Sequence, residues 1–116
     1  MDPEYKNVKK GWPKDVLPGL KISIAQFLKY YRYVKIGITC NPESRFKDHR
    51  KPHRKIKWQR MVVKYQTDSI DHANEIEKFF IDYEPRLKNL WPGYSNMTEC
   101  GPYYVYLLLA GKRKKK

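Results

Sequence analysis

A chain of 116 residues accommodates one domain with tails, and 41% hydrophobic content is enough for a modest core. The 25 Lys and Arg against 12 Asp and Glu give a net charge of +13, so a polyanion, nucleic acid first, is the expected partner class. No apolar stretch approaches the roughly 18 residues of a membrane span, and the charged start, Met1 to Lys10, lacks the apolar core of a secretory signal.

Residues 1–19 hold Pro3, Gly11, Pro13, Pro18 and Gly19 among lysines and read as a surface arm, pinned by Trp12 and Val16-Leu17. In residues 20–31, Leu20, Ile22 and Ile24 alternate as in a strand, whereas Ile24, Phe27, Leu28 and Tyr31 follow helical spacing. A short helix capped by Ser23 is the favoured reading.

Tyr33 to Thr39 alternates β-formers with Lys35 and Gly37 and predicts a strand. Asn41-Pro42-Glu43 then predicts a helix start: a capping side chain, a proline at the first helical position and an acid at the positive helix end. That helix, 42–51, carries Arg45 and His49 on one face, where they could hold a phosphate. An ordinary strand–helix unit with a solvated Arg and His has the same pattern.

Arg50, Lys51, Arg54, Lys55, Lys57 and Arg60 make the densest internal basic run, broken by Pro52. Six like charges repel one another without a counter-charge, so a loop laid on a phosphate backbone is expected. Trp58 beside it is read as a core anchor rather than a base-stacking surface.

Residues 60–66 predict a second strand, and Asp68-Ser69 starts a helix over 70–83. Ile70, Ala73, Ile76, Phe80 and Ile81 form its apolar stripe, and Glu77 falls inside that stripe while Glu75 points away. A carboxylate among apolar neighbours needs a compensating partner: a metal ion in a cleft, or a salt bridge to Arg45. Trp91 to Asn96 is turn chemistry. Residues 102–110 are the most strand-like run, apolar on both faces and suited to a central strand. A basic tail, 111–116, closes the chain.

Cys40 and Cys100 are sixty positions apart without a C-x-x-C pair. A reduced intracellular protein is the expectation, with one disulfide as the alternative; their spacing gives no support to a zinc site with the histidines.

Residues 33–49 resemble the second half of the GIY-YIG nuclease signature. Lys35-Ile36-Gly37 stands at the Tyr-Ile-Gly tripeptide, with Arg45 and His49 at the matching spacing and Lys35 replacing the tyrosine. Glu77 is similar to the glutamate that binds one divalent metal in that family. Gly93-Tyr94-Ser95-Asn96 is similar to a Gly-Tyr-Asn turn in its phage homing endonucleases, with Asn96 as the equivalent and Ser95 the fallback. The first motif, Gly-Ile-Tyr, has no good match upstream. It has one downstream, at Gly101-Pro102-Tyr103. A circular permutation that moves the first strand to the C-terminal end would read this way, with the new ends at the former hairpin tip. In the unpermuted alternative, residues 20–28 supply the first strand, Tyr103 is core, and Tyr30, Tyr31 or Tyr33 supplies the tyrosine.

The resemblance, over residues 33–107, implies an α+β fold: a small antiparallel sheet of about three strands flanked by helices, GIY-YIG-like and circularly permuted. Residues 1–19 are then an arm, 20–110 a single catalytic domain and 111–116 a tail. It implies a metal-dependent endonuclease hydrolysing phosphodiester bonds in DNA. Tyr103, Arg45, His49, Glu77 and Lys35 would be catalytic, with Glu77 on Mg²⁺ or Mn²⁺. Arg50, Lys51, Arg54, Lys55, Lys57 and Asn96 would contact nucleic acid. A dimer or a recognition partner would supply specificity, since no helix-turn-helix or zinc finger is visible. Two rivals share the charge: a nuclease-like module that binds without cutting, which the lysine at 35 favours, and a structural component of a nucleoprotein particle.

Overall fold

The computed structural model describes residues 2–5, 7–52, 55–87 and 101–113. Its elements run α1 (Pro13–Tyr30), β1 (Tyr31–Thr39), α2 (Pro42–His49), β2 (Arg60–Thr67), α3 (Ile70–Tyr83) and β3 (Tyr103–Lys112). The fold is α+β: one three-stranded antiparallel sheet, ordered β1-β3-β2, flanked by helices.

The last strand is the middle one. Leu107, Leu108 and Leu109 on β3 are all essentially buried, which is why this run is apolar on both faces. Alternation sorts the sheet into two layers. Val34, Ile36 and Ile38 of β1 and Tyr103, Val105, Leu107 and Leu109 of β3 share one core cluster with residues of α1 and α3. Tyr106, Leu108 and Ala110 of β3 and Met61 and Val63 of β2 share the other, closed by Phe46 of α2 and by Trp58. Trp58 is therefore an anchor, as expected.

Helix α1 is longer than the sequence suggests. It begins at Pro13, where the fixed φ suits a first helical turn, and it carries Pro18 inside. Val16, Leu20, Ile24 and Leu28 recur at helical spacing and are all buried. Packing of that stripe outweighs the one backbone hydrogen bond that Pro18 removes. Residues 20–28 are thus helical and supply no strand.

The surface arm is paired to the sheet at two points. Glu4 and Lys9 form parallel bridges to Val62 and Tyr65 on the outer edge of β2. Four backbone bonds of 2.7–2.9 Å join them: Glu4 N–H to Met61, Val63 N–H to Glu4, Lys9 N–H to Lys64 and Gln66 N–H to Lys9. Arg60 grips Glu4 through both carboxylate oxygens, at 2.6 and 2.7 Å, and donates to the Tyr31 hydroxyl at 2.9 Å. The segment covers an edge that would otherwise offer unpaired backbone groups to another chain. Deleting residues 2–10 should cost about 2–4 kcal/mol, roughly 10 °C of thermal midpoint, and promote self-association. Calorimetry and analytical ultracentrifugation check both effects. A monomer of unchanged midpoint would contradict the role given to the segment.

Cys40, just beyond β1, is disulfide-bonded rather than a free thiol, so the expectation of reduced cysteines is not met there. No helix among the described residues is long and apolar enough to cross a membrane.

Candidate active site at the β1–α2 junction

The junction is fixed by local hydrogen bonds. Thr39 Oγ1 accepts from the Asn41 N–H at 3.0 Å, and Asn41 Oδ1 caps α2 by accepting from the Ser44 N–H at 3.2 Å. Pro42 takes the first helical position. From this start Pro42, Phe46 and His49 turn inward, and Arg45 stands one turn before His49 beside Tyr106 of β3.

Tyr106 is the centre of the site. Its hydroxyl lies 3.0 Å from His49 Nε2 in a buried contact, and it hydrogen-bonds the Arg45 guanidinium. Arg45 can only donate, so the phenol oxygen accepts from it. The phenol hydrogen and the second lone pair both remain for His49 Nε2, and the imidazole tautomer sets the direction of that bond. Burial raises the Tyr106 phenol, and Arg45 pulls it back part of the way. Burial would lower the Arg45 guanidinium, but Tyr106 first and then Asp48, 3.5 Å away, hold it above its ordinary value.

Gly37 explains how the phenol fits. It pairs with Tyr106 across the β1–β3 ladder. A Cβ at position 37 would stand 2.4 Å from the Tyr106 hydroxyl oxygen and 2.5 Å from Cζ. The strand glycine is the gap in which the ring lies.

Tyr103 is not brought to Arg45 and His49. It sits on the opposite sheet face, buried in the core with Val105 and Leu107. The alternative tyrosines are not brought there either. Tyr30 is exposed at the end of α1, Tyr31 binds Arg60, and Tyr33 lies at the far end of β1. The residue that sequence reasoning missed is Tyr106, and a signal for it existed. A glycine in a strand marks close approach of something large, and Tyr103 and Tyr106 differ in parity, so only one can face it.

Glu77 is 4% exposed, next to Ala73, Ile76 and Phe80 on the buried face of α3. Burial pushes its carboxyl up to about 7, against the pull of the Lys35 ammonium. The cation that bears on it is thus Lys35 rather than Arg45, acting through its charge, and the charge of Glu77 in turn bears on the Tyr106 phenol. An acid raised in the folded state stabilises the fold below its unfolded value near 4.5, and that contribution is lost as pH rises through about 7. Without divalent ions, Glu77→Gln should therefore be more stable than the wild type at pH 8, on the order of a few kcal/mol, and nearly equal to it below pH 5. Thermal melts across that range check the sign. A variant less stable at pH 8 would show that the ionised carboxylate is well compensated.

The basic loop lies beside the site. His49, Arg50, Lys51, Ile56, Lys57 and Trp58 line a hollow of about 90 Å³. Arg50, Lys51, Lys55 and Lys57 are exposed. Lys51 pairs with Asp48 at 3.1 Å, and Lys57 Nζ donates to the Pro52 carbonyl at 3.1 Å. Arg54 and Asn96 lie outside the described residues, as do Tyr94 and Ser95.

Among the described residues no group of three His, Cys, Asp or Glu side chains gathers into a metal cage. Mg²⁺ keeps several waters and takes one or two carboxylates plus substrate phosphates. Glu77 supplies one carboxylate from the α3 side of the sheet, whereas Tyr106 and Phe46 of α2 belong to the other layer. Comparison of the chain with protein-family models, curated proteins and solved structures finds no match.

Proposed function

We propose that the chain is a metal-dependent endonuclease of GIY-YIG type, circularly permuted, that hydrolyses phosphodiester bonds in DNA. One observation carries this: Tyr106, Arg45 and His49 meet over Gly37. The strand pairing supports the permutation. β3, the last strand, lies antiparallel to β1 with Lys112 opposite Tyr31, so the ends of the two strands meet where a hairpin turn would have joined them.

Each side chain has a task. Arg45 binds the scissile phosphate and stabilises the charge that builds on it, through planar donors. Tyr106 orients the attacking water and takes its proton while passing its own to His49 Nε2. His49 thus serves as the proton store that a phenol raised by burial requires. Glu77 would hold Mg²⁺ or Mn²⁺, which when bound stabilises the charge of the leaving oxygen. Lys35 favours the ionised form of Glu77 against the effect of burial and adds a cation at the phosphate. The basic loop grips the flanking backbone.

Arg45→Ala tests this if cleavage and binding are measured together. Arg45 is exposed on one side and its loss leaves no cavity in the core. Cleavage should fall about 10²–10³-fold, the usual worth of one transition-state donor. Affinity, measured with chelator present, should change only a few-fold. Equal losses in both would favour the second reading, a module that binds nucleic acid without cutting it. The lysine at position 35, in place of a tyrosine, is what favours that reading.

A further inference from the structure

The end of the sheet away from the β1–α2 junction carries a second basic surface, distinct from the loop at 50–57. Two hollows adjoin there. One, of about 800 Å³, is lined by Phe27, Lys29, Tyr30, Tyr31 and Arg60, and the other, of about 560 Å³, by Arg32, Tyr33 and Gly111. Lys112 and Arg113 line both. The two hollows are one continuous corner, built from the end of α1, the start of β1 and the end of β3.

Its chemistry is specific. Arg60 is taken up by Glu4 and Tyr31. Lys29, Arg32, Lys112 and Arg113 are exposed and line the hollows as cations. Tyr30 is 54% exposed among them. An exposed tyrosine gains nothing for the core, but its ring is a platform on which a base can stack between phosphate contacts. The Arg113 N–H donates to the Tyr30 carbonyl at 2.7 Å, which ties the end of β3 to the end of α1. Gly111 holds a φ of 68°, and an added Cβ there would press on Arg32 Cβ at 3.0 Å and on the Tyr33 ring at 3.2 Å.

The geometry points to this corner as a second nucleic-acid contact, which binds the backbone of the substrate strand to one side of the cleavage site and stacks an unpaired base on Tyr30. This rests on the proposed nuclease function for its register, but not for its chemistry. Tyr33 at the corner and Gly37 at the site are four residues apart on one strand, about 13 Å. That spans roughly four base-pair steps of duplex. Lys35 stands between them, so cations mark the whole path.

The test uses the full chain carrying Lys29→Gln, Arg32→Gln, Lys112→Gln and Arg113→Gln, with Tyr30→Ala made separately. All five positions are exposed, so the fold should be kept, and circular dichroism checks this. Binding to a labelled duplex of about 20 base pairs is measured against salt, in chelator, with polyglutamate as competitor. The quadruple variant should lose about 10–100-fold in affinity, and its log K against log salt slope should shrink by about two to four. Tyr30→Ala should weaken an oligothymidine about 5–100-fold and the duplex far less. An unchanged slope in the quadruple variant would overturn the proposal, even if the wild type cleaves DNA. So would polyglutamate competing as well as DNA does, which would make the corner a seat for acidic protein. A reduced slope in a protein that cuts nothing would sustain the corner and remove the nuclease.

Discussion

Tyr106→Phe should reduce DNA cleavage about 10²–10⁴-fold, the range of a lost general acid–base group, and leave the fold intact. The ring stays, so the packing of Phe46, Trp58, Met61 and Val63 around it is kept. What is lost is one oxygen, which contacts His49 Nε2 at 3.0 Å and accepts from Arg45. Stability should therefore change by about 1 kcal/mol in either direction, because a buried hydroxyl with partners is worth little net. Tyr103→Phe is the matched control. It sits in the opposite layer, and its cleavage rate should stay within a few-fold of the wild type. Single-turnover rates of the two variants, with thermal melts alongside, decide the matter. Equal losses in both, or a loss only in Tyr103→Phe, would contradict the assignment of the tyrosine.

Gly37→Ala should damage stability and chemistry together. The added Cβ would meet the Tyr106 phenol at 2.4–2.5 Å, far inside van der Waals contact. The ring cannot simply swing away, since Tyr106 is buried under Phe46 and Trp58. Overpacking of this kind costs about 1–3 kcal/mol. Any relaxation moves the hydroxyl relative to Arg45 and His49, and a displacement near 1 Å costs about 10²-fold in rate. Tyr106→Phe removes only the oxygen, so the double variant Gly37→Ala/Tyr106→Phe should be less than additive in rate. Full activity in Gly37→Ala would show that the phenol position does not matter to the reaction.

Much of this arrangement is legible in the chain itself. The alternation at 33–39, the Asn41-Pro42 start and the Glu77 in an apolar stripe each carry their own local physics. The central place of the last strand was read from the run 102–110, apolar on both faces, and the α+β sheet was what the family resemblance implied. Three things were not legible. Pro18 and Gly19 read as breakers, yet the burial of Val16 and Leu20 carries α1 through them. The prolines, glycines and lysines of residues 1–19 read as a surface arm, and its edge pairing with β2 was not legible because it depends on a partner remote in sequence. A short motif pointed to Tyr103, whereas the register sets Tyr106 opposite Gly37 and beside His49, and register is a property of two strands rather than one.

The most direct measurement is nicking of supercoiled plasmid by the purified chain, with Mg²⁺, with Mn²⁺ and with chelator, beside Glu77→Gln. A divalent ion should be required, and Glu77→Gln should lose about 10²–10³-fold of the nicking rate while binding DNA in chelator as the wild type does. Tight, salt-sensitive binding without nicking in either metal would contradict the nuclease and leave a nucleic-acid-binding module.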